Sequence, residues 1–266
     1  MNSKKQANLP EQVLERKSLK EEIFGVLHKR IIAGKVAPGE WLRQEEIALQ
    51  LGVSQTPVRE ALDLLVSSGV AERIPYRGVR VLQLSTEEIV DSYVLRLLLE
   101  STAVSATARL RTQEQLEELA RIVERSEALM SLNDMSAQMQ LNREFHHALV
   151  AAGGNALMTR LYETVSHQFP DWMLYEAMFR HPELLQPSLT HEFQEHRAIV
   201  EAISARDAGL AARNVITHIK NLGEELTSFL GIPRDLLAEK EKQMLASQID
   251  HPAIFQHPAD SQENGQ

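Results

Sequence analysis

A mainly α-helical protein in two parts is predicted by three features of the 266-residue sequence. The parts are an N-terminal winged helix-turn-helix and a C-terminal all-α antiparallel bundle. First, the apolar period changes along the chain. It is helical over residues 19–68, alternates over 70–82, and is helical again from Ser85 onward. Second, Gly34, Gly52 and Gly69 each follow an apolar-periodic run, where a helix C-terminus wants a left-handed residue. Third, charge is uneven: residues 1–85 hold 13 Lys+Arg and 10 Asp+Glu, and residues 86–266 hold the other 15 and 27. A mildly basic head on an acidic body places any polyanion contact in the head.

Residues 1–17 are polar and read as a flexible N-terminus. Leu19–Ala33 carries Ile23, Val26, Leu27 and Ile31 at helical spacing. Val36 to Glu40 is a turn around adjacent Pro38 and Gly39. Arg43–Leu51 is a short helix. The next helix is capped by Ser54 or by Gln55 and Thr56, has Pro57 in its first turn, and runs to about Ser68. Val70–Ile74 and Gly78–Leu82 read as strands joined by Pro75, Tyr76 and Arg77. These elements make residues 18–85 the winged helix-turn-helix.

Ser85, Thr86, Glu87 and Glu88 form a capping pattern. Helices follow near 86–110, 112–131, 133–152, 155–180, 186–205 and 207–230, with a break over Pro182–Pro187. Residues 86–230 are thus a separate helical domain, whose helices suit an antiparallel bundle. Residues 231–266 form an extension with a short helix near 234–246 and a disordered end.

Composition removes several classes. A chain with 43% hydrophobic residues fills a core, so it is neither disordered nor collagen-like. Without cysteine there is no disulfide framework, thiolate zinc finger or Cys nucleophile. No targeting segment and no run of about 18 apolar residues occurs, so a soluble, cytoplasmic protein without membrane contact is expected.

In a helix-turn-helix the first residues of the second helix reach base edges in the major groove. Here these are Ser54, Gln55, Thr56 and Arg59. Gln bonds an adenine edge, and Arg forks onto guanine or phosphate. Arg43 is placed to meet the backbone, and Arg77 with Gly78 forms the wing tip. Pro38-Gly39, the run Leu51-Gly52-Val53-Ser54-Gln55-Thr56-Pro57-Val58-Arg59-Glu60-Ala61-Leu62, then Leu65, Gly69 and Arg77-Gly78 resemble the head of GntR-family bacterial transcription regulators. Gln55 stands where Arg is frequent in that family, and Glu45 where some relatives have Arg. The resemblance therefore implies the binding mode and leaves the operator sequence open.

Nine of ten histidines lie after residue 86. Asn142 and His146, four apart, share a helix face, and His196 and His218 lie on two later helices. Spacing alone leaves two readings: ordinary half-buried histidines, or ligands for zinc or another divalent transition metal. His191 to His196 imitates a metalloprotease motif with one residue too many, which puts the two rings on different faces. Arg96, in an apolar helix, needs a partner, either Glu100 one turn on or a ligand carboxylate. Phe169, Trp172, Tyr175 and Phe179 read as a core or dimer-face stripe, or at most as the lining of a small-molecule pocket.

Arg96-x-x-x-Glu100, Asn142-x-x-Phe145-His146, Gly154-Asn155, Glu195-His196-x-x-Ile199 and His218-Ile219 are similar to the FCD effector domain of the FadR-type GntR subgroup. Many such domains hold a metal with an Asp and three His. These positions fall here on Asn142, His146, His196 and His218, so the resemblance implies zinc, with nickel or manganese as alternatives, on a set in which an amide replaces the carboxylate.

The function expected is a homodimeric DNA-binding regulator, a repressor, on a palindromic double-stranded operator, answering to a small organic acid gripped by the metal and Arg96. The rival is a metal-dependent enzyme fused to a nucleic-acid-binding head. Its general base would be Glu195 or Glu100, and no nucleophile constellation, phosphate loop or dinucleotide fingerprint accompanies it.

Overall fold

The computed structural model describes residues 18–131, 134–169 and 171–249. The expected termini 1–17 and 250–266 lie outside these. The head consists of α1 (Leu19–Ile32), β1 (Trp41–Leu42), α2 (Gln44–Leu51), α3 (Gln55–Ser67), β2 (Ala71–Ile74) and β3 (Gly78–Val81). The strand β1 is not in the sequence reading: two residues carry no period. It pairs antiparallel with β3 through Trp41–Arg80 and Leu42–Val79, giving a three-stranded sheet of order β1-β3-β2. Gly52 closes α2 at φ 67°, a conformation that costs a side-chain-bearing residue but not glycine.

The body consists of α4 (Thr86–Leu110), α5 (Gln113–Glu127), α6 (Met135–Ala151), α7 (Ala156–Gln168), α8 (Asp171–Arg180), α9 (Pro182–Ser204), α10 (Ala208–Leu230) and α11 (Arg234–Ile249). A reciprocal cap starts α4: Ser85 Oγ accepts from Glu88 N at 3.2 Å, and Glu88 accepts from Ser85 N at 2.8 Å. Thr112 and Gln115 repeat the device at α5.

Two expected boundaries are corrected. The helix expected over 155–180 is two helices, α7 and α8. A residue before proline is driven out of the helical region, and Phe169, which precedes Pro170, takes φ −78°, ψ 130°. The break expected over Pro182–Pro187 is instead the first turns of α9. Pro182 sits at its first position, where a missing N–H costs nothing, and α9 continues through Pro187.

Two apolar cores form. One joins α4, α5, α6, α9 and α10 around Val90, Val104, Leu119, Leu149, Ile203 and Ile219. The other fills the head with Ile31, Val58, Leu65 and Val81, and takes in Met139 from α6, Trp172, Tyr175 and Met178 from α8, and Leu189 from α9. Helix α8 therefore belongs to both, since Leu174 lies in the body core. In the first third of α4, Tyr93 packs over Gly223, where a Cβ would meet its Oη at 2.8 Å, and donates to Glu241 of α11 at 2.7 Å. Among the described residues, no helix is long and apolar enough to cross a membrane.

Candidate nucleic-acid interface and buried histidine centre

The head presents its polar side chains on the side of α3 away from its buried stripe of Val58, Ala61, Leu62 and Leu65. Ser54, Gln55, Thr56 and Arg59 are all exposed there. Ser54 holds the N-cap position without a side-chain capping bond, so its hydroxyl is not committed to its own helix. Gln44 Nε2 donates to Gln55 Oε1 at 3.1 Å, tying the start of α2 to the start of α3. Arg43 stands over the Trp41 ring, 5.3 Å from its centre, a cation–π contact that limits its sweep.

The wing turns at Tyr76, fully exposed with φ 63°, and Gly78 follows at φ 116°, where a Cβ is strained. A groove lined in part by Trp41, Arg43, Gln55, Arg73, Arg77 and Gly78 runs between the helix starts and the wing. It brings Arg43, Gln55, Arg77 and Gly78 together. Ser54, Thr56 and Arg59 are not in its lining. Arg73, which pairs with Asp63, was missed, because an Arg on a short alternating strand looks like any solvated face. Guanidiniums around such a groove suit phosphate oxygens and base edges.

In the body, α6, α9 and α10 bring His146, His196 and His218 together, all buried, with ligand nitrogens within 4.8 Å of one another. His146 Nε2 lies 3.2 Å from His218 Nε2, and His196 Nε2 lies 3.4 Å from His218 Nε2. The opposite ring nitrogens are oriented by carboxylates: His146 Nδ1 by Glu100 at 2.6 Å, His218 Nδ1 by Glu195 at 2.8 Å. A carboxylate only accepts, so each Nδ1 carries the proton and each Nε2 presents a lone pair. Two lone pairs facing each other at 3.2 Å have no proton between them, and the arrangement calls for a cation. Four ligands at about 2.0–2.1 Å around a tetrahedral zinc stand about 3.3 Å apart, which matches both spacings. Asn142, one turn before His146, keeps its Oδ1 buried without a hydrogen-bond partner. The donor set fits a divalent transition metal.

Burial lowers His146 to about 4, against the opposing pull of Glu100, and holds His196 well below the usual histidine value, with its two neighbouring rings adding to the shift. Both are therefore neutral, as ligands must be. Burial alone would raise Glu100, but His146 and Arg96 hold it down at about 2. Arg96 Nε donates to Glu100 at 2.8 Å, and its guanidinium lies 4.7 Å from the centre of the Phe169 ring. Glu100, one of the two partners expected for Arg96, is present, and the Arg96 side chain also lines the cavity.

That cavity is small, about 40 Å³, and Arg96, Asn142, His146, Asp171, Tyr175 and Glu192 are among its walls. Glu192 is pushed up to about 8 by burial and then by Glu225 and Glu195, and burial also raises Glu225. Glu192 and Glu225 were missed, although a signal existed: Glu192 lies four residues before His196, and Glu225 seven after His218, on the same helix faces. Of the aromatic stripe, Phe169, Trp172 and Tyr175 are buried and Phe179 is exposed at its edge.

Comparisons with known proteins agree with this layout. Residues 19–81 match the bacterial regulatory proteins of the gntR family, and residues 91–221 match the FCD domain. An uncharacterised HTH-type transcriptional regulator of Bacillus subtilis, YdhC, is 27% identical, covering 79% of this chain and 91% of the relative. A probable D-xylose utilisation operon transcriptional repressor of Paenarthrobacter nicotinovorans is 29% identical, covering 77% and 88%. The solved structure of McbR/YncC from E. coli shares the fold, with a TM-score of 0.57 at 22% identity over 80% of this chain and all of that one. The family and the relatives are transcription regulators, and the enzymic rival falls with them. The chain belongs to the GntR family of bacterial DNA-binding transcription regulators, with an FCD domain behind its winged helix-turn-helix.

Proposed function

We propose that this regulator is a cytoplasmic, homodimeric repressor switched by a small carboxylate metabolite in its helical body, beside a divalent transition metal, zinc foremost. The observation that carries the reading is the meeting of three buried imidazoles whose Nε2 atoms converge, two of them, His146 and His218, with their outer nitrogens turned by Glu100 and Glu195. His146, His196, His218 and the Asn142 carbonyl would hold the ion. A neutral amide grips a divalent cation less tightly than a carboxylate. Once bound, the metal supplies a Lewis-acidic seat for an effector carboxylate oxygen. Arg96 carries a full charge toward the same cavity, oriented by Glu100 and Phe169.

The size of the cavity supports a switch. About 40 Å³ holds only a few atoms, so a metabolite enters by moving a wall. One wall is α8, through Asp171, Leu174, Tyr175 and Met178, and α8 also packs in the core of the head. Asp171 takes a two-pronged contact from Arg143, at 2.6 Å from both Nε and Nη2, and Arg143 Nη1 donates to the Ser68 carbonyl at the end of α3. Displacement of α8 thus reaches the recognition helix. In a dimer on a palindrome, such a shift changes the population of head orientations that fit both half-sites. The exposed Leu157 and Leu161, four apart on α7, offer apolar surface for a second copy.

The test is operator affinity by fluorescence anisotropy across a panel of small carboxylates, with zinc supplied. One member should change affinity by about 5–150-fold, the usual range of such coupling. Invariant affinity throughout refutes the switch.

A further inference from the structure

We propose that the effector is an aminocarboxylate: a small acid whose carboxylate lies toward the histidines and Arg96, and whose ammonium group lies between Glu192, Glu225 and Tyr175. This rests on the effector reading above and names the chemistry of its far end.

The two ends of the cavity differ in charge. Toward the histidines, Arg96 and Glu100 neutralise one another, and three imidazoles wait for a cation. Away from them, Glu192 of α9 and Glu225 of α10 line the same space. Glu225 takes a hydrogen bond from Ser188, which is neutral. Glu192 makes no hydrogen bond or ion pair among the described residues, and the charge of Arg96, whose Nε donates to Glu100, opposes its rise only in part. Both carboxyls are raised, first by burial and then by neighbouring carboxylates, which outweigh the opposing pulls of Arg96 on Glu192 and of Ser188, His218 and His191 on Glu225.

A separate observation points to a ligand between the two ends. Tyr175 is 4% exposed and lines the cavity, and its Oη, set beside Asn142 and near Glu192, makes no hydrogen bond of good geometry. A buried hydroxyl without a partner is costly and is normally satisfied by a ligand or water.

An ammonium group has three donors and one charge. Two carboxylates and a phenol oxygen are three acceptors, and the two carboxylates supply the countercharge. A second carboxylate there would add a like charge to a pair already in conflict. A hydroxyl would meet the hydrogen-bonding need but leave the charge. The metal does not change this ranking. Its two charges are offset by the effector carboxylate and by Glu195, leaving Glu192 and Glu225 uncompensated.

The experiment is calorimetric binding to the full chain with zinc supplied, using three series of matched length: 4-aminobutanoate to 6-aminohexanoate, the corresponding ω-hydroxy acids, and succinate to adipate. The best amino acid should bind at least about tenfold more tightly than the dicarboxylate and the hydroxy acid of its length, a difference of about 1.4 kcal/mol. Glu192→Gln with Glu225→Gln should abolish that preference, and Gln, close in shape to a protonated Glu, leaves the packing intact. Tyr175→Phe should weaken the amino acids selectively. Equal or tighter binding of a dicarboxylate or hydroxy acid overturns the aminocarboxylate alone, as does a preference that survives the double Gln variant. If no acid of any series binds, and none of the wider panel alters operator affinity, the effector reading itself fails and takes this one with it.

Discussion

The groove of the head and the histidine centre of the body are built on opposite plans. In the head, backbone is fixed and side chains are loose: α3 is anchored by fully buried Val58, Ala61 and Leu65, while Ser54, Thr56 and Arg59 stand exposed. In the body the side chains themselves are fixed. His146 and His218 are buried, and each is turned by a carboxylate. The difference follows from the partners. DNA arrives with its own rigid lattice of phosphates and orders long side chains on contact, while a small ion or acid brings no scaffold and needs one already in place.

Removing the body's fixed ligands should therefore have the largest effect. His146→Ala with His196→Ala and His218→Ala should bring bound metal to background by elemental analysis, while the isolated head contacts, read as salt-dependent DNA binding, persist. Parent-level metal in the triple variant would refute the centre. Arg59→Ala tests the other plan. It should cost about 1–3 kcal/mol of operator affinity in a gel shift, with unchanged metal content and melting temperature, because a loose exposed side chain serves the interface alone. Unchanged affinity would move the reading surface elsewhere.

The same contrast governs what the sequence reveals. The head is read from one contiguous run, residues 51–62, because helix, turn and contacting side chains are neighbours in the chain. The strand β1 escaped for the inverse reason: its two residues are made a strand only by partners at Val79 and Arg80, far along the sequence. In the body, Asn142 and His146 share a face by spacing, but nothing local says that α9 and α10 deliver His196 and His218 to the same point. Resemblance supplied that step, and convergence at 3.2 and 3.4 Å agrees with it. Glu192 and Glu225 share helix faces with His196 and His218, and Tyr175 belongs to the aromatic stripe, but their place in the cavity, like the clamp of Arg143, depends on which helices pack together.

Between the two sites lies a histidine that belongs to neither. His28 of α1 is buried against α6, with Nδ1 2.8 Å from Ser136 Oγ and Nε2 without a partner. Burial lowers it to about 4; Arg143 adds to the lowering and Asp171 opposes it. Its folded value lies below the unfolded one near 6.5, so between these values the unfolded chain binds a proton that the folded chain refuses. Stability is then full above about pH 6.5 and falls as pH drops toward 4. At pH 5.5 the loss from this group is about 1.4 kcal/mol, one pH unit below the unfolded value. In urea melts the stability of the parent relative to His28→Phe should fall by that amount between pH 7.5 and 5.5. A constant difference would show that His28 does not titrate on unfolding.

The smallest effect expected is the one that joins the two plans. Arg143 follows Asn142 directly, so it is carried by the helix that would hold the metal, and its guanidinium clamps Asp171 in the cavity wall while donating to Ser68 at the end of the recognition helix. A Lys at this position keeps the charge but cannot grip both carboxylate oxygens and a carbonyl in one plane. Arg143→Lys should leave operator affinity and metal content near those of the parent, since it touches neither site. The change in operator affinity produced by effector should shrink by about 1 kcal/mol, a several-fold loss out of a coupling of about 1–3 kcal/mol. Anisotropy titrations of parent and variant, with and without effector, give the four affinities needed. A coupling equal in both proteins would mean that the signal passes through the apolar packing of Trp172, Tyr175 and Met178 against the head, and that the polar clamp only sets the resting angle between head and body.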